Sequence, residues 1–241
     1  MLDIKDLVVE HGNMRALFGM TLNVRQGERV ALLGANGAGK STTLGAIAGI
    51  YPPRSGSIRF KGTEIAGKPA AVNVVSGIAM VPEGRRLFTG MTVQENLELG
   101  AYAPSLRKGV QDRLEGIFDM FPILKEKRHQ LSGELSGGQQ QMVAIGRALM
   151  SKPDLLLLDE PFLGIAPVVV HLVMDALRKI AEGGVTVLLV EQNVHRAFEF
   201  AERGYVIEHG HVIMQGSAHD ILDDPDFSAK FLGVDSEENQ A

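Results

Sequence analysis

Three stretches carry residues whose types and spacing could do chemistry. The first is Gly34-Ala35-Asn36-Gly37-Ala38-Gly39-Lys40-Ser41, which fits the phosphate-loop pattern G-x-x-x-x-G-K-[ST]. It follows the apolar run ERVALL and precedes STTLGAIAGI, a small-residue stretch of helical period. Glycines let a backbone wrap an anion with its N–H groups, and a helix start adds positive potential. Lys40 can then reach outer phosphates and Ser41 can ligate magnesium, with Thr42 completing the set of candidate nucleotide-binding residues.

The second stretch is LLLLDE, residues 155 to 160. An acid at the C-terminal end of a buried parallel strand shares an edge with a phosphate loop, so Asp159 is a natural magnesium partner and Glu160 can polarise an attacking water. The third is LSGGQQQMVAIGRAL, residues 135 to 149. Ser136 and Gln139 suit the N-cap and N3 positions of a helix, and Gly137 and Gly138 expose backbone donors beside them. That pattern reads either as a second phosphate-binding helix end or as plain capping.

Positioning these residues takes alternating strands and helices. Residues 2 to 9 and 20 to 33 read as strands, SGSIRFKGTEI as a strand and turn with polar alternation, and STTLGAIAGI as a helix ended by Tyr51-Pro52-Pro53. From Thr92 to Leu149 the pattern is helical: Thr92 to Glu95 is a capping-box signature, and GVQDRLEGIFDMFPILKEK has apolar spacing of three and four. The runs PDLLLLDEP and VTVLLVEQN are apolar throughout, as expected of parallel strands covered on both faces. Between them Pro167 suits a helix N1 position and Gly183 its stop, and YVIEHGHVIMQG predicts a hairpin around His209-Gly210.

Bulk properties narrow the classes. The 241 residues can bury a real core, and the net charge of −5 argues against a broad nucleic-acid footprint. Zero cysteines exclude a disulfide framework and thiolate chemistry. MLDIKDLVVE lacks the basic and apolar regions of a secretory signal, and no apolar run approaches membrane-spanning length, so any membrane role runs through a partner. The seven histidines show no ligand cluster, which makes a metal beyond nucleotide-bound magnesium unexpected.

The phosphate loop, Leu135-Ser-Gly-Gly-Gln139 and Leu155 to Glu160, in this order across nearly the whole chain, resemble the ATP-binding cassette family. VPEGRRLF, AIGRALM, LGIAP and LVEQN resemble the shorter of the two ATP-binding subunits of branched-chain amino-acid importers. The resemblance implies an α/β P-loop NTPase (RecA-like) core with an antiparallel β subdomain, about 1–83 and 150–234, and an inserted helical subdomain, about 84–149. An acidic, disordered tail is expected at 235–241. It also implies ATP and Mg2+ as ligands and a head-to-tail dimer in which Ser136 to Gln139 of one copy close over the γ-phosphate held by the other. Transmembrane permeases, a second cassette (paralogue or self) and, indirectly, a periplasmic binding protein are the implied partners. The implied location is cytoplasmic, on the inner face of the membrane.

Several positions depart from the family pattern. Glu83 stands where a glutamine usually senses magnesium and γ-phosphate, Gln192 where a histidine usually contacts γ-phosphate, and His11 where an aromatic often stacks on adenine. His11 reads equally as a surface histidine. Phe162 replaces a common serine and could pack at the dimer seam. Arg85, Arg86 and Phe88 read either as permease-docking residues or as a solvated turn with one buried aromatic. On this reading Lys40, Glu160 and Gln192 are catalytic, while Ser41, Glu83 and Asp159 organise magnesium. Import of leucine, isoleucine, valine or a related small polar solute is expected. The alternatives are a urea or amide importer, a non-transport cassette, a catalytically weak cassette, or another P-loop enzyme. The last has no use for LSGGQ, and the chain has no N-K-x-D guanine motif.

Overall fold

The computed structural model describes residues 1–227. The expected disordered tail at 235–241 lies outside them. The chain opens with β1 (Leu2–His11), β2 (Met14–Val24) and β3 (Arg29–Leu33), then α1 (Lys40–Ala48), β4 (Ser55–Phe60), β5 (Thr63–Glu64), α2 (Ala70–Val75) and β6 (Ile78–Val81). A helical stretch follows: α3 (Val93–Leu99), α4 (Val110–Met120), α5 (Pro122–Glu126) and α6 (Gly137–Leu149). The remainder alternates: β7 (Leu155–Asp159), α7 (Pro167–Glu182), β8 (Thr186–Glu191), α8 (Val194–Phe200), β9 (Arg203–Glu208), β10 (His211–Ser217), α9 (Ala218–Leu222) and α10 (Pro225–Phe227).

Two sheets result. One is antiparallel with order β2-β1-β4-β5, and the other has order β10-β9-β3-β8-β7-β6. In the second sheet β6, β7, β8, β3 and β9 run parallel, and β10 returns antiparallel. The apolar runs need cover on both faces, and they receive it. Leu156, Leu158, Val187 and Leu189 face a core shared with α3, α4, α6 and α7. Their neighbours Leu155, Leu157, Leu188 and Val190 face a core shared with α1 and the antiparallel sheet. The helical stretch thus packs into the same hydrophobic cluster as one face of the main sheet rather than onto a core of its own.

The stretch 20 to 33 holds the end of one strand and the whole of the next. β2 starts earlier, at Met14, and ends at Val24; a turn with Gly27 at φ 76° then delivers the chain to β3 in the other sheet. The start of β2 is obscured in the sequence because its register against β1 is irregular and Gly19 sits at φ 86°. Likewise the helical pattern at 109–127 breaks at Phe121, where Pro122 forces the preceding residue out of the helical region and starts α5. Local chemistry holds elsewhere: Thr92–Glu95 and Ser136–Gln139 both form reciprocal capping boxes, and Pro167 opens α7. At the far end of α7, Gly183 caps the helix at φ −70°, and the left-handed turn falls one residue later, on Gly184 at φ 94°. The hairpin turns at His209 and Gly210, both at positive φ, as a tight right-twisting connection requires.

Candidate functional site

Parallel strands present their C-terminal ends on one edge, so the segments after β3, β6, β7 and β8 converge there. Register makes this specific: Leu33 pairs with Glu191, Asp159 with Val190, and Val81 with Leu158. The residue after Leu33 is Gly34. A Cβ there would lie 2.3 Å from the Ile207 carbonyl oxygen, so only glycine lets the loop leave β3 against β9. The loop ends on Gly39 at φ 108°, and α1 starts at Lys40 with no side-chain cap, leaving its first N–H groups directed at the cleft.

Lys40 is 5 % exposed, and its Nζ donates to the carbonyl oxygens of Gly34 (2.8 Å) and Ala35 (3.1 Å). It also lies 3.7 Å from Glu160 Oε1. Ser41 Oγ donates to Asp159 Oδ1 at 3.0 Å. Burial pushes the Asp159 carboxyl above its usual range; the Ser41 hydrogen bond opposes this, while the charges of Glu83 and Glu160 reinforce it. A buried acid crowded by two further acids and one hydroxyl is a hard-oxygen environment that favours a small divalent cation. Among the described residues no group of three or more His, Cys, Asp or Glu could hold a metal alone. Magnesium fits such a site, because it is commonly held by one or two carboxylates together with phosphates and water.

A cleft of about 880 Å³ covers this edge and is lined by His11, Asn36, Gly37, Gly39, Lys40, Ser41, Thr42, Glu83, Glu160 and Gln192. Gly34, Ala35 and Ala38 line a smaller adjoining hollow with Gln192. His11 is exposed at the cleft wall, its Nε2 3.1 Å from Thr42 Oγ1 and its ring edge-on to Tyr51 at 4.6 Å. Within the single chain, Ser136, Gly137, Gly138 and Gln139 do not line this cleft. They form the start of α6, where Gln139 N donates to Ser136 Oγ and Ser136 N to Gln139 Oε1. Gly138 packs so closely on Val169 that a Cβ would lie 2.4 Å away.

Two expectations change here. Phe162 does not sit at an exposed seam: it is 1 % exposed, in the core shared with α6 and α7, and the outward position belongs to Leu163. Arg85 turns inward to Gln140, Leu163 and Gly164, while Arg86 and Phe88 stay exposed, so the aromatic of that turn is not buried as one reading expected. One acid escaped sequence reasoning altogether. Glu191 ends β8 beside Gln192, is 3 % exposed, and has an Oε1 with no hydrogen-bond partner. Burial, aided by the charge of Glu160, pushes its carboxyl up to about 7. The only sequence signal was an acid closing an apolar strand.

The fold and cleft define the class: a P-loop NTPase with its phosphate loop, acids and helix starts on one sheet edge. A family model described as ABC transporter matches residues 17–163, and the chain belongs to that family of ATP-hydrolysing cassettes. The chain is 43 % identical over 233 residues to the high-affinity branched-chain amino acid transport ATP-binding protein BraG of Pseudomonas aeruginosa, covering 97 % of this chain and 100 % of BraG. It is 32 % identical to the lipopolysaccharide export system ATP-binding protein LptB of Escherichia coli, covering 97 % of this chain and 98 % of LptB. A crystal structure of a nucleotide-free ATP-binding cassette from an ABC transporter superposes with a TM-score of 0.87 at 28 % identity, covering 96 % of this chain and 98 % of that one. A dimeric structure of the bacterial cassette MJ0796 does so at 0.78 and 27 % identity, covering 90 % and 99 %.

Proposed function

We propose that this chain is the ATPase subunit that energises import of branched-chain amino acids through separate transmembrane permeases. The cargo reading is carried by the full-length 43 % identity to BraG, against 32 % for LptB. The chemistry rests on the cleft. The phosphate-loop amides and Lys40 hold the phosphates, and Glu160 orients and deprotonates the attacking water. Gln192 donates an amide hydrogen bond to the γ-phosphate, which a neutral side chain can do without adding charge. Ser41, Asp159 and Glu83 would hold magnesium, which when bound neutralises charge developing on the phosphate oxygens.

The start of α6, with Ser136 exposed, stands apart from the cleft of its own chain, so it serves a second cassette, either a copy or a paralogue, in a head-to-tail dimer. The dimeric state of the similar cassette MJ0796 supports the pairing of two cassettes. No helix of the described residues is long and apolar enough to cross a membrane, in keeping with a peripheral subunit on the cytoplasmic face. A periplasmic binding protein would deliver the solute, and nucleic acid is not a partner on this reading.

Uptake of labelled leucine, urea and glutamate in cells carrying the wild-type chain or Glu160→Gln tests it. Loss of leucine uptake alone is expected. Loss of a different solute would replace the cargo, and unchanged uptake of all would overturn the import role.

A further inference from the structure

The loop after β6 contains three consecutive residues at positive φ: Gly84 at 74°, Arg85 at 66° and Arg86 at 45°. Glycine accepts that region freely, whereas each arginine stores on the order of 1–2 kcal/mol there. Strain of this kind persists only where surrounding contacts over-determine it. The contacts converge on Arg85. Its carbonyl accepts from Arg147 Nη2 at 3.0 Å, which ties the loop to α6. Its guanidinium reaches further: Nη1 faces Gln140 Oε1 at 3.4 Å, and Nη2 donates to the Gly164 carbonyl at 3.2 Å with the Leu163 carbonyl at 3.5 Å.

Gly137 makes room for this arrangement. A Cβ on Gly137 would stand 3.1 Å from an Arg85 nitrogen, so the absence of a side chain lets the guanidinium lie against the first turn of α6. Placing a cation there is electrostatically unfavourable, because a helix N-terminus is itself positive. The carbonyl and amide acceptors offset that cost, and a planar fork can engage acceptors on two segments at once where an ammonium cannot.

We propose that Arg85 is a positioning residue: it holds the first turn of α6 and the loop after Glu160 in one register, so that movement of the Glu83 loop reaches both segments. Only Gly84 separates Glu83, on the cleft, from Arg85, so the loop and the clamp move as one strained turn. In the proposed dimer those two segments face the second cassette, and this transmission step rests on that reading; the clamp itself does not.

Amide hydrogen exchange on the full-length chain tests both parts. Without nucleotide, Arg85→Ala is expected to speed exchange at residues 136–140 and 163–165 by about fivefold or more, with β7 and α1 unchanged. Arg85→Lys keeps the charge and lacks the fork, so it is expected to match Ala; restoration of wild-type exchange by lysine would overturn the forked clamp. Wild-type rates at both segments in Arg85→Ala, or equal acceleration throughout the chain, would overturn the clamp as well. The same measurement is then made with ATP and magnesium on Glu160→Gln chains, at a protein concentration where light scattering shows monomers, so that contact with a second cassette does not itself protect the start of α6. ATP is expected to change exchange at 136–140 when Arg85 is present and not when it is alanine; an equal response in both would overturn transmission. If ATP fails to protect residues 34–41 in either chain, the nucleotide-binding reading fails, while the nucleotide-free comparison still judges the clamp.

Discussion

Ser41 Oγ donates a 3.0 Å hydrogen bond to Asp159 Oδ1 across 118 residues of sequence, joining the first turn of α1 to the last residue of β7. The pair locates the hard-oxygen corner of the cleft. Asp159→Asn removes the charge that a divalent cation needs and is expected to lower magnesium-dependent ATP turnover by about 100-fold or more. Ser41→Ala keeps that charge and is expected to raise the magnesium concentration for half-maximal rate. Titrating turnover against magnesium separates the two; an unshifted curve for both would remove this pair from the metal site.

Gly34 cannot be replaced cheaply. Its φ of 154° and the 2.3 Å approach of a built Cβ to the Ile207 carbonyl mean that Gly34→Ala must push β3 away from β9. A loss of stability on the order of 2 kcal/mol or more is expected, together with weaker ATP binding. Urea unfolding checks the first and equilibrium binding the second.

Glu191 makes stability depend on pH in an unusual direction. Its folded carboxyl lies at about 7, above the ordinary 4.5, so the folded state holds a proton that the unfolded chain has released. Stability therefore falls as pH rises from 4.5 to about 7 and is level above that range. Glu191→Gln removes the charge and keeps the shape. At pH 8 it is expected to be more stable than wild type by on the order of 2–3 kcal/mol, with the gain shrinking toward pH 5. Melting curves of both chains across that range check it, and a pH-independent difference would sink the assignment.

Arg203 ties the antiparallel sheet to the main one. From the start of β9 it donates to both Glu28 carboxylate oxygens, at 2.8 and 2.9 Å, to Tyr205 Oη at 2.9 Å and to the Asn23 carbonyl at 2.7 Å. That hydrogen bonding holds the Glu28 carboxyl below its usual range against the opposing effect of burial. Arg203→Ala is expected to cost about 2 kcal/mol at neutral pH. The Glu28 part of that contribution is complete above the ordinary carboxylate pKa of 4.5 and is lost as pH falls through the lowered one. Comparing the two unfolding curves at pH 7 and in acid tests the sign.

What the sequence determined by itself was local. Gly34 to Ser41 announced a loop that wraps an anion, Thr92–Glu95 and Ser136–Gln139 announced helix starts, and the unbroken apolar runs of β7 and β8 announced strands covered on both faces. Such features depend on neighbours a few residues apart, so spacing alone reveals them. Tertiary structure decided which distant groups meet. Parallel register brought Asp159 to Ser41 and Glu160 to Lys40, and close packing buried Glu191 and Phe162. The turn of Arg85 toward α6 and Gly164, rather than outward, depended on space left by Gly137, 52 positions away in sequence. A side chain's partner across the fold is set by strand pairing and by the volume its neighbours leave free, and neither is written in the periodicity of a single segment.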